Sequence, residues 1–284
     1  MRLQELDTSN RFTATVVSSQ RITPEASQDE VRELVLDVGA ALDLDVGQSV
    51  GVLAPGQKEF GQDHHLRLYS VADLPEKTDT GTPRIKICVK RCTYIDDYSG
   101  ERYDGVASNY LCDRRAGDEL TLTGPFGLPF EVPPEQDASL ILIATSTGIA
   151  PFRAFVRHLY ERTDFAGRIW LFYGARSGLD MAYLNEERDD FAQYYDKETF
   201  EAFKVLSPRP AWGDDIDWGS TIEERGEEIW KLLSEAKTYV YVAGLEQVRD
   251  ALDGVFAKVA GNGELWERRR AEMVAGKRWV ELLY

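Results

Sequence analysis

The sequence predicts two domains: an antiparallel β-barrel followed by an α/β domain with a parallel sheet. First, 284 residues exceed the length of one typical hydrophobic core. Second, the first half contains short apolar runs separated by Gly, Pro and Asp turns. Third, the second half alternates apolar strands with segments of helical periodicity. We place the boundary within the proline-containing segment 132–136, which gives domains 1–134 and 135–284.

The first half is predicted to consist of short strands at regular spacing. Glycine and proline recur between these strands, as at Gly47, Gly117 and Gly124-Pro125, and mark turns or bulges. Such spacing is typical of a small barrel. The apolar runs that we assign to strands are 12–17, 31–38, 50–53, 66–71, 85–89 and 120–123.

The second half begins with a continuous apolar strand at 139–144, the pattern of a sheet that is buried on both faces. A loop at 145–150 follows, and Pro151 suits the first turn of a helix. The alternation then repeats, which predicts parallel strands with crossover helices. The later strand and helix pairs are 169–173 with 183–191, 203–206 with 222–233, and 238–243 with 248–259.

Composition narrows the class of protein. The net charge is −16 and both halves are acidic, which argues against nucleic acid and anionic membranes as partners. The sequence has no apolar stretch of membrane-spanning length, and its start lacks the apolar core of a secretion signal, so we expect a soluble, cytoplasmic protein. Three cysteines without a CxxC pair and three histidines give no pattern for a metal or an iron–sulfur cluster.

Three loops of the second half follow predicted parallel strands and should meet at one sheet edge, where such sheets bind ligands. They contain Thr147-Gly148, Gly174-Ala175-Arg176 and Gly244-Leu245, and the glycine in each would let the backbone lie against a ligand. The first precedes a helix, whose N-terminus favours a phosphate, although both the GxGxxG and the Walker patterns are missing. Arg176 could pair with a pyrophosphate. The alternative is a set of ordinary tight turns.

In the first half, Arg67 and Tyr69 share one face of a predicted strand, and Ser70 lies on the other. An arginine beside a tyrosine suits an anion next to a ring system, although a surface pair is the alternative. Segment 105–109 offers small residues and backbone amides, as in a phosphate-binding nest. The terminal Tyr284 ends an apolar run. It either closes a sheet or supplies a ring that stacks on a flat, conjugated ligand.

Taken together and in order, these motifs resemble plant-type ferredoxin–NADP⁺ reductases over roughly residues 10–284. The motifs are Arg67-Leu68-Tyr69-Ser70, Cys88-Val89-Lys90-Arg91, the segment 105–113, Gly124-Pro125-Phe126-Gly127, the segment 147–153 and the terminal Tyr284. The resemblance implies a barrel that holds FAD and an α/β domain that binds NADP(H). It also implies an enzyme, an NAD(P)H oxidoreductase whose flavin passes electrons to ferredoxin or another iron–sulfur protein.

The resemblance also implies site residues. Arg67 and the amides near Ser108 would hold the FAD pyrophosphate, Tyr69 and Tyr284 would sandwich the isoalloxazine, and Ser70 would donate a hydrogen bond near the flavin N5. The implied FAD contacts are Arg67, Leu68, Tyr69, Ser70, Cys88, Val89, Lys90, Tyr94, Val106, Ala107, Ser108 and Tyr284. The dinucleotide contacts are Thr147, Gly148, Ala175, Arg176, Ser207, Arg209, Gly244 and Leu245. Ser70, Tyr284 and Glu281 are the candidate catalytic residues.

The chain departs from the family pattern at several positions. Ala107 and Ala243 stand where the family often has cysteine, and Leu282 stands where it has glutamate, with Glu281 one residue earlier. The 2′-phosphate motif has Arg209 shifted by one position and is followed by aspartates, which would repel a 2′-phosphate. We nevertheless expect NADPH, because Arg176, Ser207 and Arg209 could still form an anion site, with NADH as the competitor.

The electron partner has more than one interpretation. A basic patch could bind an acidic ferredoxin, although the overall negative charge would slow that encounter. The residues of this patch are Lys90, Arg91, Arg114, Arg115, Lys277 and Arg278. One alternative is the reductase component of a multicomponent aromatic oxygenase or epoxidase system. Another is a non-catalytic, flavin-binding regulatory subunit.

Overall fold

The computed structural model describes residues 6–56, 63–96, 98–127 and 130–284. The start of the chain at 1–5, on which the expectation about a secretion signal depends, lies outside these residues. The chain divides into two units. The first contains Met1–Phe130 with Arg153–His158, and the second contains Glu131–Phe152 with Leu159–Tyr284.

The first unit is built on an antiparallel sheet with the order β4-β3-β9-β1-β2-β6-β5, beside a hairpin of β7 and β8. On β1, Phe12, Ala14 and Val16 are buried while their neighbours are exposed, the two-residue period of a half-buried strand. The elements are β1 (Arg11–Arg21), β2 (Val31–Val38), β3 (Ser49–Pro55), β4 (His64–Ser70), β5 (Glu76–Lys77), β6 (Pro83–Lys90), β7 (Thr93–Ile95), β8 (Arg102–Asp104), α1 (Val106–Cys112) and β9 (Glu119–Phe126).

The second unit has a parallel sheet with the order β12-β11-β10-β13-β14. Its central strand β10 is almost entirely buried, as its apolar run predicts. The elements are β10 (Ser139–Thr145), α2 (Ile149–Arg162, of which Arg153–His158 belong to the first unit), β11 (Arg168–Ala175), β12 (Phe200–Leu206), α3 (Trp218–Glu223), α4 (Gly226–Ser234), β13 (Thr238–Gly244), α5 (Val248–Val259), α6 (Gly263–Ala275) and β14 (Trp279–Leu283). An antiparallel sheet followed by a parallel one confirms the predicted fold class.

The helix predicted at 183–191 is wrong. This segment contains turns, an isolated bridge between Leu184 and Asp189, and Tyr183 at a φ of 62°. The Asn185 side-chain oxygen accepts hydrogen bonds from the amides of Glu187 and Arg188, each at 3.0 Å. Short polar side chains that bind nearby amides in this way compete with helix formation.

A buried carboxylate in the first unit forms ion pairs with three cations. Asp73 is fully buried, and its carboxylate accepts hydrogen bonds from Lys86 Nζ and from Arg157 Nη1, both at 2.7 Å. Arg153 Nη1 lies 3.1 Å from the same carboxylate and donates to the carbonyl of Ala72 at 2.7 Å. Burial alone would raise the pKa of Asp73, but the charge of Arg153 and the bonds from Lys86 and Arg157 outweigh burial and hold the pKa well below its usual range.

Two loops of the second unit pack backbone against backbone. A Cβ on Gly148 would overlap the carbonyl of Ala243, and a Cβ on Gly244 would overlap Thr145. Gly244 also has a φ of 133°, a conformation that side chains rarely adopt. The hydroxyl of Thr145 accepts a hydrogen bond from the amide of Leu245 at 3.0 Å. Glycine at both positions is therefore required for the ends of β10 and β13 to meet.

We predict that Asp73→Asn lowers the free energy of unfolding by about 3 kcal/mol at pH 7, because it removes the anion that three buried or half-buried cations share. The native carboxyl has a depressed pKa, so its stabilisation is complete above the pKa of the unfolded carboxyl, about 4, and declines as the pH falls from there through the lower pKa of the folded carboxyl. Chemical denaturation of both proteins between pH 7 and pH 3 measures this. Asp37→Asn, which removes a more exposed pair with Arg84, is the control and should cost less than about 1 kcal/mol. Equal losses in the two variants would contradict the prediction.

We predict that Gly148→Ala destabilises the protein by about 2 kcal/mol or more, because the new methyl group must displace backbone rather than a flexible side chain. Gly254→Ala is the matched control, since Gly254 lies exposed in α5 with open space around its Cα. That change should stabilise by about 0.5–1 kcal/mol through helix propensity. Thermal and chemical unfolding of the two variants measures both effects, and effects of the same sign would refute the packing argument.

Candidate functional site

The predicted dinucleotide residues of the second unit lie at the carboxyl edge of its parallel sheet. Thr147-Gly148 follows β10, Arg176 follows β11, and Gly244-Leu245 spans the end of β13. Thr147 is half-buried, whereas Arg176 and Leu245 are exposed. The segment 146–148 is a 3-10 turn that leads directly into α2. Three loops thus meet at one edge, beside the N-terminal end of a helix, where an anion is favoured.

The glycines of these loops have a structural role that their motifs did not indicate. The motifs predicted that the backbone approaches a ligand at these positions. Gly148 and Gly244 instead allow the two loops to contact each other, and a Cβ on Gly174 would overlap the ring of Trp218. Strand pairing could have suggested this role, because β10 and β13 are neighbours in the sheet.

Tyr284 is attached to the same two loops. Its amide donates to the carbonyl of Gly244 at 3.0 Å, and its carbonyl accepts from the amide of Glu246 at 3.3 Å. Its hydroxyl is hydrogen-bonded to the hydroxyl of Thr147. The side chain is nevertheless 58% exposed. The terminal residue therefore holds its ring over the strand ends without burying it in the core.

Glu281 is the centre of an ion cluster on β14. Its Oε2 accepts from Arg249 Nη2 at 2.7 Å, and its Oε1 accepts from Arg270 Nη2 at 2.7 Å and from Trp279 Nε1 at 2.8 Å. Burial raises the pKa of Glu281, but the bonds from Trp279, Arg249 and Arg270 outweigh it and lower the pKa below its usual range. Both oxygens are engaged and the carboxylate is ionised at neutral pH, which suits a structural tie between α5, α6 and β14.

The predicted 2′-phosphate residues lie in the loop after β12. Ser207 is buried, and its hydroxyl donates to the backbone carbonyl of Asp214 at 2.7 Å. Arg209 Nε donates to the carboxylate of Asp214 at 2.7 Å. The loop thus places both Ser207 and Arg209 beside Asp214, and the carboxylate of Asp214 pairs with the arginine.

In the first unit, β4 is an edge strand that carries Arg67, Leu68, Tyr69 and Ser70. Arg67 is exposed, and its Nη1 donates to the adjacent carbonyl of Leu66 at 2.9 Å. The ring of Tyr69 packs partly against the core, and burial raises the pKa of its phenol, so the group stays protonated. The hydroxyl of Ser70 is hydrogen-bonded to that of Ser49 at 3.1 Å. These positions leave a cation and an aromatic ring on one strand face.

The segment 105–109, predicted to act as a phosphate-binding nest, contains the N-cap residue Gly105 and the first residues of helix α1. Val106, Ala107 and Ser108 make up its first turn, and no side chain caps it. First-turn N–H groups have no partner inside a helix, so they are suited to an anion. The Ser108 hydroxyl donates to the carbonyl of Gly105 at 3.2 Å and accepts from the amide of Cys92 at 3.1 Å, which fixes the turn.

The end of β6 and the hairpin complete the predicted FAD contacts. Cys88 and Val89 are buried, and Lys90 Nζ lies 2.5 Å from a carboxylate oxygen of Asp29. The ring of Tyr94 is 53% exposed and stacks on Tyr103, with 5.7 Å between the ring centroids. Uncapped amides and an exposed arginine are donors suited to a pyrophosphate, and accessible aromatic rings can pack against a flat ring system. The residues of this unit therefore fit FAD.

The predicted basic patch is partly neutralised by acids. Besides Lys90, Arg91 is bonded to Glu30 at 2.8 Å and to Asp113 at 2.9 Å. Arg114 lies 3.7 Å from Asp118. These cations are therefore already paired, which weakens the field that they offer to an acidic partner.

The cysteines differ in accessibility. Cys92 is exposed, whereas Cys88 and Cys112 are buried. Burial raises the pKa of the Cys112 thiol to about 12. Within the described ranges, no group of three or more His, Cys, Asp or Glu side chains is arranged to hold a metal ion. None of the helices in the described part of the chain is long and apolar enough to span a membrane.

Known proteins resemble this chain over most of its length. Residues 142–253 match the family model of the oxidoreductase NAD-binding domain. A ferredoxin–NADP reductase from Spirulina is 30% identical over 279 residues, which are 95% of this chain and 94% of that protein. A chloroplastic leaf isozyme of ferredoxin–NADP reductase from Oryza sativa subsp. indica is 32% identical over 93% of this chain and 74% of its own length. The Synechocystis ferredoxin–NADP reductase is 31% identical over 93% of this chain, which spans 65% of that relative.

Solved structures agree with this result at the level of the fold. A ferredoxin–NADP⁺ reductase from Plasmodium falciparum, solved with 2′P-AMP, has a TM-score of 0.72 at 20% sequence identity and covers 99% of this chain and 98% of its own. The resemblance to plant-type enzymes that the motifs predicted is confirmed by the relatives, which include cyanobacterial and chloroplastic proteins. This chain belongs to the ferredoxin–NADP reductase family.

Proposed function

We propose that this protein is an FAD-dependent oxidoreductase that transfers electrons between NADPH and ferredoxin or another iron–sulfur protein. One observation carries the proposal furthest: the terminal Tyr284 is joined to Thr147 and Gly244, the loops that would receive a dinucleotide. The names of the relatives give the same reaction class. When bound, FAD supplies the chemistry that exchanges a hydride with the nicotinamide and single electrons with the partner.

In this proposal the first unit holds FAD. Arg67 and the first-turn amides of Val106, Ala107 and Ser108 bind the pyrophosphate, since both are suited to an anion. Tyr69 offers an aromatic face, and Ser70, held by Ser49, donates its hydroxyl to the flavin ring. The other predicted contacts, with supporting or lining roles, are Leu68, Cys88, Val89, Lys90 and Tyr94.

The second unit binds the dinucleotide at its sheet edge. Thr147 and Gly148 receive the phosphates at the start of α2, and Arg176 adds a cation at the end of the neighbouring strand. Ala175, Ser207, Arg209, Gly244 and Leu245 complete the edge. Tyr284 occupies part of the same edge, so a dinucleotide that contacts Thr147 must take the place of the tyrosine hydroxyl. Glu281 acts as a positioning residue, because its ion pairs hold β14 and thereby the terminal tyrosine.

The partner is proposed to be less acidic than a typical ferredoxin. The pairing of Lys90 and Arg91 with acids, together with the net charge of −16, reduces attraction to an acidic surface. This observation favours a second candidate function, the reductase of a multicomponent aromatic oxygenase or epoxidase. Comparing electron transfer to a purified ferredoxin with transfer to an oxygenase component separates the two.

We predict that the purified protein retains FAD and that NADPH bleaches the flavin absorbance during anaerobic rapid mixing, because hydride transfer requires no partner protein. NADH should reduce the flavin more slowly. Arg67→Ala should hold FAD about tenfold more weakly, as the loss of one charged hydrogen bond implies. A flavin that neither dinucleotide reduces would contradict the proposal and favour the non-catalytic, flavin-binding regulatory subunit.

We predict that Tyr284→Ser raises the affinity for both NADPH and NADH by about tenfold, because neither the ring nor its bond to Thr147 then competes with the dinucleotide. Equilibrium titration of the flavin-loaded protein with the oxidised dinucleotides NADP⁺ and NAD⁺, which cannot reduce the flavin, measures this change in affinity. Tyr284→Phe is the matched variant, since it keeps the ring and removes only the hydroxyl, and it should give a smaller gain. If both variants bind dinucleotide like the unaltered protein, the tyrosine has only a structural role.

A further inference from the structure

The guanidinium group of Arg209 is engaged by a carboxylate of its own loop. Its Nε donates to Asp214 Oδ2 at 2.7 Å, and its Nη2 lies 3.5 Å from Asp214 Oδ1. The side chain of Arg209 is 65% exposed, whereas that of Asp214 is 26% exposed. The arginine therefore faces solvent while its partner is held closer to the protein.

Hydrogen bonds and a glycine within the loop place Asp214 beside Arg209. The carbonyl of Arg209 accepts from the amide of Trp212 at 3.0 Å, and Gly213 has a φ of 79°, which allows the chain to reverse. The buried hydroxyl of Ser207 then donates to the backbone carbonyl of Asp214. These bonds anchor the backbone of Asp214, so replacing its carboxylate by an amide leaves the loop contacts in place.

The position of the loop in the sheet relates it to a bound dinucleotide. It follows β12, which is separated from β10 by β11 alone. Neighbouring strands lie about 4.8 Å apart, so the end of β12 is about 10 Å from the end of β10, after which α2 begins. An adenosine half that extends from there in this direction places its ribose near the end of β12. At such strand ends an acidic residue binds a ribose 2′-hydroxyl, and an arginine accommodates a 2′-phosphate.

We propose that Asp214 is a specificity-determining residue that sets how strongly this protein distinguishes dinucleotides with a 2′-phosphate from those without one. The inference rests on the proposed function and names the residue that controls its dinucleotide preference. Asp214 acts in two ways. It keeps the guanidinium of Arg209 engaged, and it adds negative charge where a 2′-phosphate would bind, which is a repulsive element against that group.

The neighbouring acids are placed differently. Asp217 Oδ1 accepts from the amide of Ser220 at 3.0 Å and caps helix α3. Asp215 is exposed and adjacent in sequence to Asp214, with the same charge. Asp215→Asn is therefore a control that makes the same change in net charge next to Asp214.

The test measures binding rather than turnover. Calorimetric titration of the flavin-loaded full chain at low ionic strength compares two probes, 2′-phospho-AMP and AMP, which differ only in the 2′-phosphate. We expect Asp214→Asn to raise the affinity for 2′-phospho-AMP by about tenfold, since removing an adjacent carboxylate releases the arginine and ends the repulsion. The affinity for AMP should stay the same or fall. Asp215→Asn should change either affinity by less than about twofold.

Arg209 supplies the second arm of the experiment. Arg209→Ala should have a small effect on 2′-phospho-AMP in the unaltered protein and should abolish the gain in the Asp214→Asn background, because the two residues are coupled. Equal effects of Asp214→Asn and Asp215→Asn, or a gain that survives Arg209→Ala, would overturn the proposal. Failure of both probes to bind any variant would also overturn it. None of these results depends on hydride transfer, so anaerobic flavin reduction still tests the proposed function separately.

Discussion

The second unit depends on a contact between two backbones, where the loop after β10 meets the end of β13. Gly148 lies against the carbonyl of Ala243, and Gly244 lies against both the hydroxyl and the backbone of Thr145. This contact sets where α2 begins and where the last strand can pair. Tyr284 then bonds to both loops, through its amide and its hydroxyl. The candidate site is thus a product of close packing inside the sheet edge, before any ligand is considered.

Charge pairing is the second constraint, and it changes the meaning of several motifs. Two cations that a motif identifies as anion-binding have carboxylates beside them in the structure: Lys90 has Asp29, and Arg209 has Asp214. In a chain with 49 acidic and 33 basic side chains, acids are available to pair with most cations. The type and spacing of residues therefore identify where an anion can be bound, while the availability of the charge depends on partners that only the fold reveals.

Local patterns predicted most of the fold because periodicity depends on which face of an element is buried. The continuous apolar run of β10 and the alternation of β1 were sufficient to predict these strands and their buried faces. The segment 183–191 was misassigned because Asn185 binds backbone amides of its own turn. The cluster around Asp73 could not be predicted, since Arg157 is 84 positions away and no local pattern connects them. For the same reason Glu281, interpreted from a motif as catalytic, proved to have structural partners on α5 and α6.

The unequal burial of the cysteines has a practical consequence. Cys92 is the exposed member of the three, and its amide donates to the hydroxyl of Ser108 in the first turn of α1. Cys88 and Cys112 are shielded, and the high pKa of Cys112 keeps that thiol in its unreactive form. Maleimide chemistry on the unaltered chain therefore attaches a fluorophore or spin label selectively beside the proposed pyrophosphate-binding turn. Loading of the flavin can then be followed by a reporter whose signal is independent of the absorbance of the flavin itself.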